Sequence, residues 1–257
     1  MALSSMLDYA RCASEFKLEV PAYFNFGQDV IDEQARRNDK PALIWCDAAG
    51  RERLFNFSDI SRLSNQVANL LISQGIEKGD RVLILLPRIP EWQISMVACL
   101  KAGIIPIPCV EMLTAKDITF RINDSEAKAV ITTAVNIEKF SKIQNIQTKI
   151  VIGPGAGQWI SLDESQKQSE QFECRRMAAE DPALLYYTSG SSGLPKGVLH
   201  SSRGIYSWRL SAAWWQTLQE SDIKWCTSDT GWAKAGTGIL FGPWSRGSCV
   251  LFYDGKF

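Results

Sequence analysis

One histidine, no close pair of cysteines, no net charge and no long apolar run: each shortage in this sequence removes a class of function. A multi-histidine metal site is excluded outright. A Ser-His-Asp triad would have to use His200, which lies on the strand-like run Val198-Leu199-His200 and is expected to be packed rather than catalytic. The seven cysteines (Cys12, Cys46, Cys99, Cys109, Cys174, Cys226 and Cys249) are odd in number and lack metal-ligand spacing. They are expected as reduced, buried thiols, not as disulfides or a zinc site. Lys and Arg total 28 and Asp and Glu also total 28, so no net field draws the chain to nucleic acid or anionic lipid. No run of about 18 uninterrupted apolar residues occurs, so no membrane span is expected. Residues Met1 to Phe16 lack the basic and apolar regions of a secretory signal. Asp8 and Glu15 also sit poorly with an acid-poor transit peptide. The default expectation is a cytoplasmic location, with an organellar matrix as the alternative.

What remains is the composition of a globular domain. The chain has 257 residues, 46% of them hydrophobic and 22% charged, enough for one large or two small domains with a substantial core. Ile60, Leu63, Val67, Leu70 and Leu71 recur at helical spacing on a segment that Ser58 is placed to cap. Gly75 and Gly79 end it, and Arg81 to Leu86 reads as a buried strand. Pro90 suits the first turn of a helix running through Met96 and Leu100 to Gly103. Ile104 to Val110 follows as a strand whose hydrogen bonding Pro106 and Pro108 restrict. Thr114 caps a helix toward Ala127, and Ala129–Thr132 and Lys149–Ile152 are further strands, with a short helix near Ile137 to Ile143 between them. All-apolar strands alternating with helices predict an α/β fold, a mostly parallel sheet flanked by helices. The glycine cluster Gly153 to Gly157 and the polar run Ser161 to Glu173 break that rhythm. They suggest subdomains 22–152 and 182–257 joined by 153–181, after a lead-in at 1–21.

The segment Tyr187-Thr188-Ser189-Gly190-Ser191-Ser192-Gly193-Leu194-Pro195-Lys196-Gly197 carries the most chemistry. The apolar run Ala183 to Tyr187 delivers it as a strand. Backbone N–H groups and hydroxyls in such a loop suit a polyphosphate, glycines let the backbone approach, and the ammonium of Lys196 neutralises phosphate charge. It is not a Walker A loop, because Lys196 follows a proline and precedes Gly197. A second motif is Trp225-Cys226-Thr227-Ser228-Asp229-Thr230-Gly231-Trp232. Trp232 can offer a rigid apolar wall, and the small residues Ala233, Ala235, Gly236 and Gly238 leave room beside it. Trp225 is expected in the core.

The Thr188–Gly197 pattern resembles the phosphate loop of the AMP-forming acyl-adenylate synthetases, a superfamily that includes acyl-CoA synthetases, peptide-synthetase adenylation domains and luciferases. The Ser-Asp-Thr-Gly-Trp loop is similar to that of the acetyl-CoA and medium-chain acyl-CoA synthetases. Phe24 to Asp32, Gly79-Asp80-Arg81-Val82 with Pro87 and Glu91, and Lys101-Ala102-Gly103 extend the resemblance over nearly the whole chain. It implies a partial AMP-binding domain over 22–257, the large N-terminal domain of an adenylate-forming ligase. It also implies ATP, Mg²⁺ and coenzyme A as reactants with a small, medium-chain or aromatic carboxylic acid. By the same resemblance, Thr188, Ser189, Gly190, Ser191, Ser192, Gly193, Leu194, Pro195 and Lys196 bind ATP phosphates. Thr230, Gly231, Trp232 and Ala233 line the acyl pocket. The family's Tyr-Gly-x-Thr-Glu segment, whose glutamate holds Mg²⁺, its ribose-binding aspartate and its small C-terminal domain are expected beyond Phe257. Two alternatives stand beside the acyl-CoA ligase: an adenylation protein loading a carrier-protein thiol, and a catalytically inactive fragment that only binds nucleotide.

Overall fold

Val82, Leu83, Ile84, Leu85 and Leu86 are all buried, but they serve two different cores. Val82, Ile84 and Leu86 join the larger one, while Leu83 and Leu85 join a second with Ile118, Ile122 and Phe140. Alternation in a strand points successive side chains to opposite faces, so this strand is covered on both sides. The computed structural model describes residues 9–37, 39–189 and 193–255.

Helix α1 (Tyr9–Glu15) precedes a π-helical turn, Gly27–Asp32, that runs into α2 (Glu33–Arg37). Then follow β1 (Pro41–Asp47), β2 (Glu52–Asn56), α3 (Phe57–Ser73), β3 (Arg81–Leu85), α4 (Pro90–Lys101), β4 (Ile105–Cys109), α5 (Ala115–Ser125) and β5 (Ala129–Thr133). After a 3₁₀ turn at Ala134–Phe140 come β6 (Thr148–Ile152), β7 (Trp159–Ser161), a second 3₁₀ turn at Leu162–Lys167, β8 (Pro182–Thr188) and β9 (Lys196–Ser201). The last part holds α6 (Ser202–Leu210) with a π-helical extension over Ser211–Trp215, β10 (Ile223–Trp225), α7 (Ala233–Ile239), α8 (Phe241–Ser245) and β11 (Cys249–Asp254).

The strands form a five-stranded sheet in the order β4-β3-β5-β6-β7, a four-stranded sheet β10-β11-β1-β2 and the hairpin β8-β9. Every pairing in the first sheet is parallel, as expected for buried strands linked by crossover helices. In the second, β1 pairs antiparallel with β2 and parallel with β11. That sheet therefore draws on residues from both sides of the 153–181 connection. The connection itself is more ordered than its polar composition suggests, because β7 adds to the sheet edge along β6.

Helix α4 explains the centre of the molecule. All its residues except Glu91 are buried, the pattern of a helix enclosed on all sides. Pro90 occupies its first turn, as expected. Pro106 and Pro108 fall on β4, an edge strand, where a missing N–H costs no internal ladder bond. The α3 cap differs from expectation. Asn56 and Asp59 form a capping box, and Ser58 instead donates its hydroxyl to Asp39 Oδ2 at 2.8 Å. Thr114 caps α5 as expected, accepting from the Asp117 amide while Asp117 accepts from Thr114. The region after α6 breaks into two short helices at Leu240, whose φ of −138° is not helical.

A buried polar knot ties these layers together. Lys101 is fully buried and pairs with Asp32 Oδ1 at 2.6 Å, with Asn65 Oδ1 also at 2.6 Å. Burial pulls its ammonium below the usual lysine range, and the Asp32 charge opposes that shift. Asn25 Nδ2 donates to Leu100 O at 3.0 Å and Arg175 O at 2.9 Å. The Phe24–Asp32 and Lys101-Ala102-Gly103 segments, read in the sequence as family markers, are thus the joint between the N-terminal turn, α3, α4 and the connection.

Candidate active site

Thr188 and Lys196 lie directly opposite each other where β8 and β9 close, so the loop between them leaves and re-enters the hairpin at one point. Gly193 has φ +93°, a left-handed conformation that glycine adopts without steric cost. Gly190, Ser191 and Ser192 lie outside the described residues. Lys196 is exposed at the start of β9, and Leu194 is exposed as well.

The second motif is built as a tight turn. Asp229 Oδ1 accepts from the Gly231 amide at 3.3 Å, and Asp229 O accepts from the Trp232 amide at 3.1 Å. Thr230 is buried and its hydroxyl donates to Leu86 O at 2.6 Å. That bond fastens the turn to the chain leaving β3. Gly231 permits the contact: a Cβ there would stand 2.2 Å from the Val110 amide nitrogen and 2.4 Å from the Cys109 carbonyl carbon. Only a glycine lets these two backbones touch.

These pieces enclose a cavity of about 550 Å³. The loop contributes Thr188, Ser189, Gly193 and Pro195 to its lining, and the turn contributes Gly231, Trp232 and Ala233. The two motifs, more than thirty positions apart, therefore face one space. Thr230 sits behind its wall and holds it, and neither Leu194 nor Lys196 is part of the lining. The remaining walls are Pro108, Cys109, Val110 and Leu113 after β4, Arg121 on α5, and Tyr186 and Tyr187 on β8. Sequence reading missed the β4 and α5 group. The available signal was position: in open α/β sheets ligands bind outside the C-terminal ends of parallel strands, where Pro108 to Val110 stand.

Among the described lining residues, Arg121 supplies a cation and Tyr187 a constrained phenol. The Arg121 guanidinium lies 5.3 Å from the Tyr187 ring centroid. Tyr187 donates its hydroxyl to Asp124 Oδ2 at 2.6 Å. Burial, then the Asp124 carboxylate, push the phenol above its ordinary range, so it stays a neutral donor. Nearby, burial raises the half-buried Glu111 carboxyl, although Asn136 Nδ2 donates to it at 2.8 Å. Among the described residues no group of three or more His, Cys, Asp or Glu side chains could hold a metal ion.

Several expectations need correction. Trp225 is 51% exposed, because β10 is an edge strand and turns Ile223 and Trp225 outward. The small residues of α7 do not leave open space. A Cβ at Gly236 would stand 2.4 Å from the Tyr186 hydroxyl, and one at Gly238 would stand 3.0 Å from Cys226 Sγ. Only Ala233 faces the cavity. The seven cysteines are free, but only Cys99, Cys109 and Cys249 are buried; the others are half-buried. His200 is packed between the Tyr186 and Trp208 rings, with centroids at 5.9 and 5.3 Å. Burial lowers its pKa, and it does not line the cavity. No helix among the described residues is long and apolar enough to cross a membrane.

Comparison with known proteins gives a consistent result. The family model described as AMP-binding enzyme matches residues 31–256. The mouse protein "Acyl-coenzyme A synthetase ACSM3, mitochondrial" is 36% identical over 259 residues, covering 95% of this chain and 44% of its own length. The human "Acyl-coenzyme A synthetase ACSM5, mitochondrial" is 38% identical over 253 residues, covering 91% of this chain and 43% of its own. The crystal structure of a Brucella canis acyl-CoA synthetase superposes with a TM-score of 0.90 at 25% identity, covering 97% of this chain and 48% of that one. The anthranilate CoA ligase AuaEII, solved in complex with anthranoyl-AMP, superposes with a TM-score of 0.82 at 25% identity, covering 92% and 46%. The chain thus spans under half the length of the relatives it matches.

Proposed function

The chain belongs to the AMP-binding enzyme family, and from that premise we propose that it forms the nucleotide- and acid-binding part of an AMP-forming acid–thiol ligase. In the first step a carboxylate oxygen attacks the α-phosphorus of MgATP, giving an acyl-adenylate and pyrophosphate. In the second, the thiol of coenzyme A attacks the activated carbonyl and expels AMP. The observation that carries this reading is the single cavity lined both by the hydroxyl- and glycine-bearing loop and by an apolar turn. Phosphate chemistry needs fixed donors and a cation where charge builds on the leaving group; an acyl tail needs an apolar wall.

Thr188, Ser189 and the loop through Lys196 are the proposed phosphate ligands, with Lys196 as a cation exposed at the hairpin mouth. Trp232, Gly231 and Ala233 are the proposed acyl wall, and Thr230 positions it. The apolar walls favour a medium-chain or aromatic acid. Mg²⁺ enters as part of the substrate MgATP. The names of the relatives favour a mitochondrial location over the cytoplasmic default, and cell fractionation decides between them. The test is to supply the ligase that contains this chain with MgATP, coenzyme A and acids from acetate to dodecanoate plus benzoate. The reading expects AMP, pyrophosphate and acyl-CoA in equal amounts. ADP and phosphate as products would overturn it, and transfer only to a carrier-protein thiol would replace coenzyme A as acceptor.

A further inference from the structure

A second cleft lies on the other flank of α7. Trp215 after α6, Lys224 on β10, Cys226 just after it, and Lys234, Thr237 and Gly238 on α7 are among the residues enclosing its volume of about 240 Å³. It shares no residue with the first cavity. Ala233 faces the first and Lys234, the next residue, faces the second, so α7 is the wall between them. The floor is closed, since Gly238 packs against Cys226. Trp215 is 78% exposed, leaving most of a large indole face in solvent. Neither Lys224 nor Lys234 has an ion-pair partner among the described residues.

Lys224 and Lys234 both line this small cleft, and an anion placed between two ammonium groups is attracted by both. An indole face beside them suits a planar ring. The volume lies below the roughly 300–1,000 Å³ of pockets for drug-sized ligands, which limits the occupant to one or two fused rings. We propose that this cleft binds a small planar aromatic carboxylate, its carboxylate held by Lys224 and Lys234 and its ring stacked on Trp215. The site is separate from the acid pocket of the proposed reaction and does not depend on that reading.

The test is a calorimetric titration of 2-naphthoate into the full chain carrying Trp232→Ala, which removes the aromatic wall of the first cavity. Saturable binding is expected. Lys224→Gln combined with Lys234→Gln should weaken it about tenfold or more, and Trp215→Ala should do the same. Hexanoate and inorganic phosphate should each bind at least about tenfold more weakly than naphthoate. Thermal melts should match the parent, because these side chains are not core residues; if the double lysine variant fails to fold, the Trp215→Ala arm decides. Absence of saturable binding, binding unchanged by these substitutions, or hexanoate binding as tightly as naphthoate overturns the proposal.

Discussion

Replacing Gly231 with alanine should damage this fold more than a single added methyl ordinarily does. The new Cβ would meet the Val110 amide nitrogen at 2.2 Å, the Cys109 carbonyl carbon at 2.4 Å and Val110 Cγ1 at 2.8 Å. Carbon contacts settle at about 3.5–4.0 Å, so the turn and the end of β4 must part by about 1.5 Å. Two of the three opposing atoms are backbone, so no side-chain rotation relieves the clash. Separation also pulls on the buried bond from Thr230 to Leu86 O, at 2.6 Å. Overpacking costs about 1–3 kcal/mol, and an unpaired buried group costs about 1–3 kcal/mol more. Partial relaxation puts the expected loss near about 2–3 kcal/mol, a fall in Tm of about 4–12 °C for a chain of this size. Circular-dichroism melts measure it. Val110→Ala in the same chain should not rescue the loss, because it removes only the Cγ1 contact. Thr230→Val should cost about 1–3 kcal/mol alone and combine with Gly231→Ala less than additively. A Gly231→Ala protein melting within about 1 °C of wild type, or full rescue by Val110→Ala, would refute the reasoning.

Thr114→Ala should cost about 1 kcal/mol by loss of the α5 capping box. Thr114 hydrogen bonds hold the Asp117 carboxyl below its ordinary 3.8. The folded value is depressed, so this contribution is present above the unfolded pKa and fades as pH falls through the folded one; melts below pH 3.8 should therefore show the two proteins converging. Glu111 has the opposite sign. Burial raises its folded pKa above 4.5, so the folded form holds its proton longer and stability drains away as pH rises through that window. Glu111→Gln cannot ionise, and its Tm should gain on wild type as pH increases from 4.5. Asp32→Ala should destabilise by about 3–5 kcal/mol, because it leaves the buried Lys101 ammonium unpaired; chemical denaturation measures it.

The parallel sheet was legible because most of its strands are short, largely apolar runs separated by helical spacing, with Gly75, Gly79, Pro87 and Gly103 marking boundaries in its first half. The proposed phosphate loop stands out in the sequence as a local pattern, and so does the turn at Thr230 to Trp232. What joins them does not. The pairing of β1 with β11 and the approach of Gly231 to Val110 are contacts between distant parts of the chain, and no local periodicity records them. The misreading of Trp225 has the same origin: a three-residue strand looks identical in sequence at a sheet edge or its centre. The α7 glycines suggested space because a missing side chain does not reveal what fills its place, here the Tyr186 hydroxyl and Cys226.

The most direct measurement is carboxylate-dependent exchange of pyrophosphate into ATP, comparing wild type with Lys196→Ala and Trp232→Ala. One site joining phosphate loop and acyl wall predicts exchange only when acid is present. Lys196→Ala should reduce it about 10²–10³-fold by loss of a group that stabilises the leaving pyrophosphate. Trp232→Ala should shift the preferred acid while retaining exchange. Exchange that proceeds without acid, or is equal in wild type and Lys196→Ala, would contradict the account.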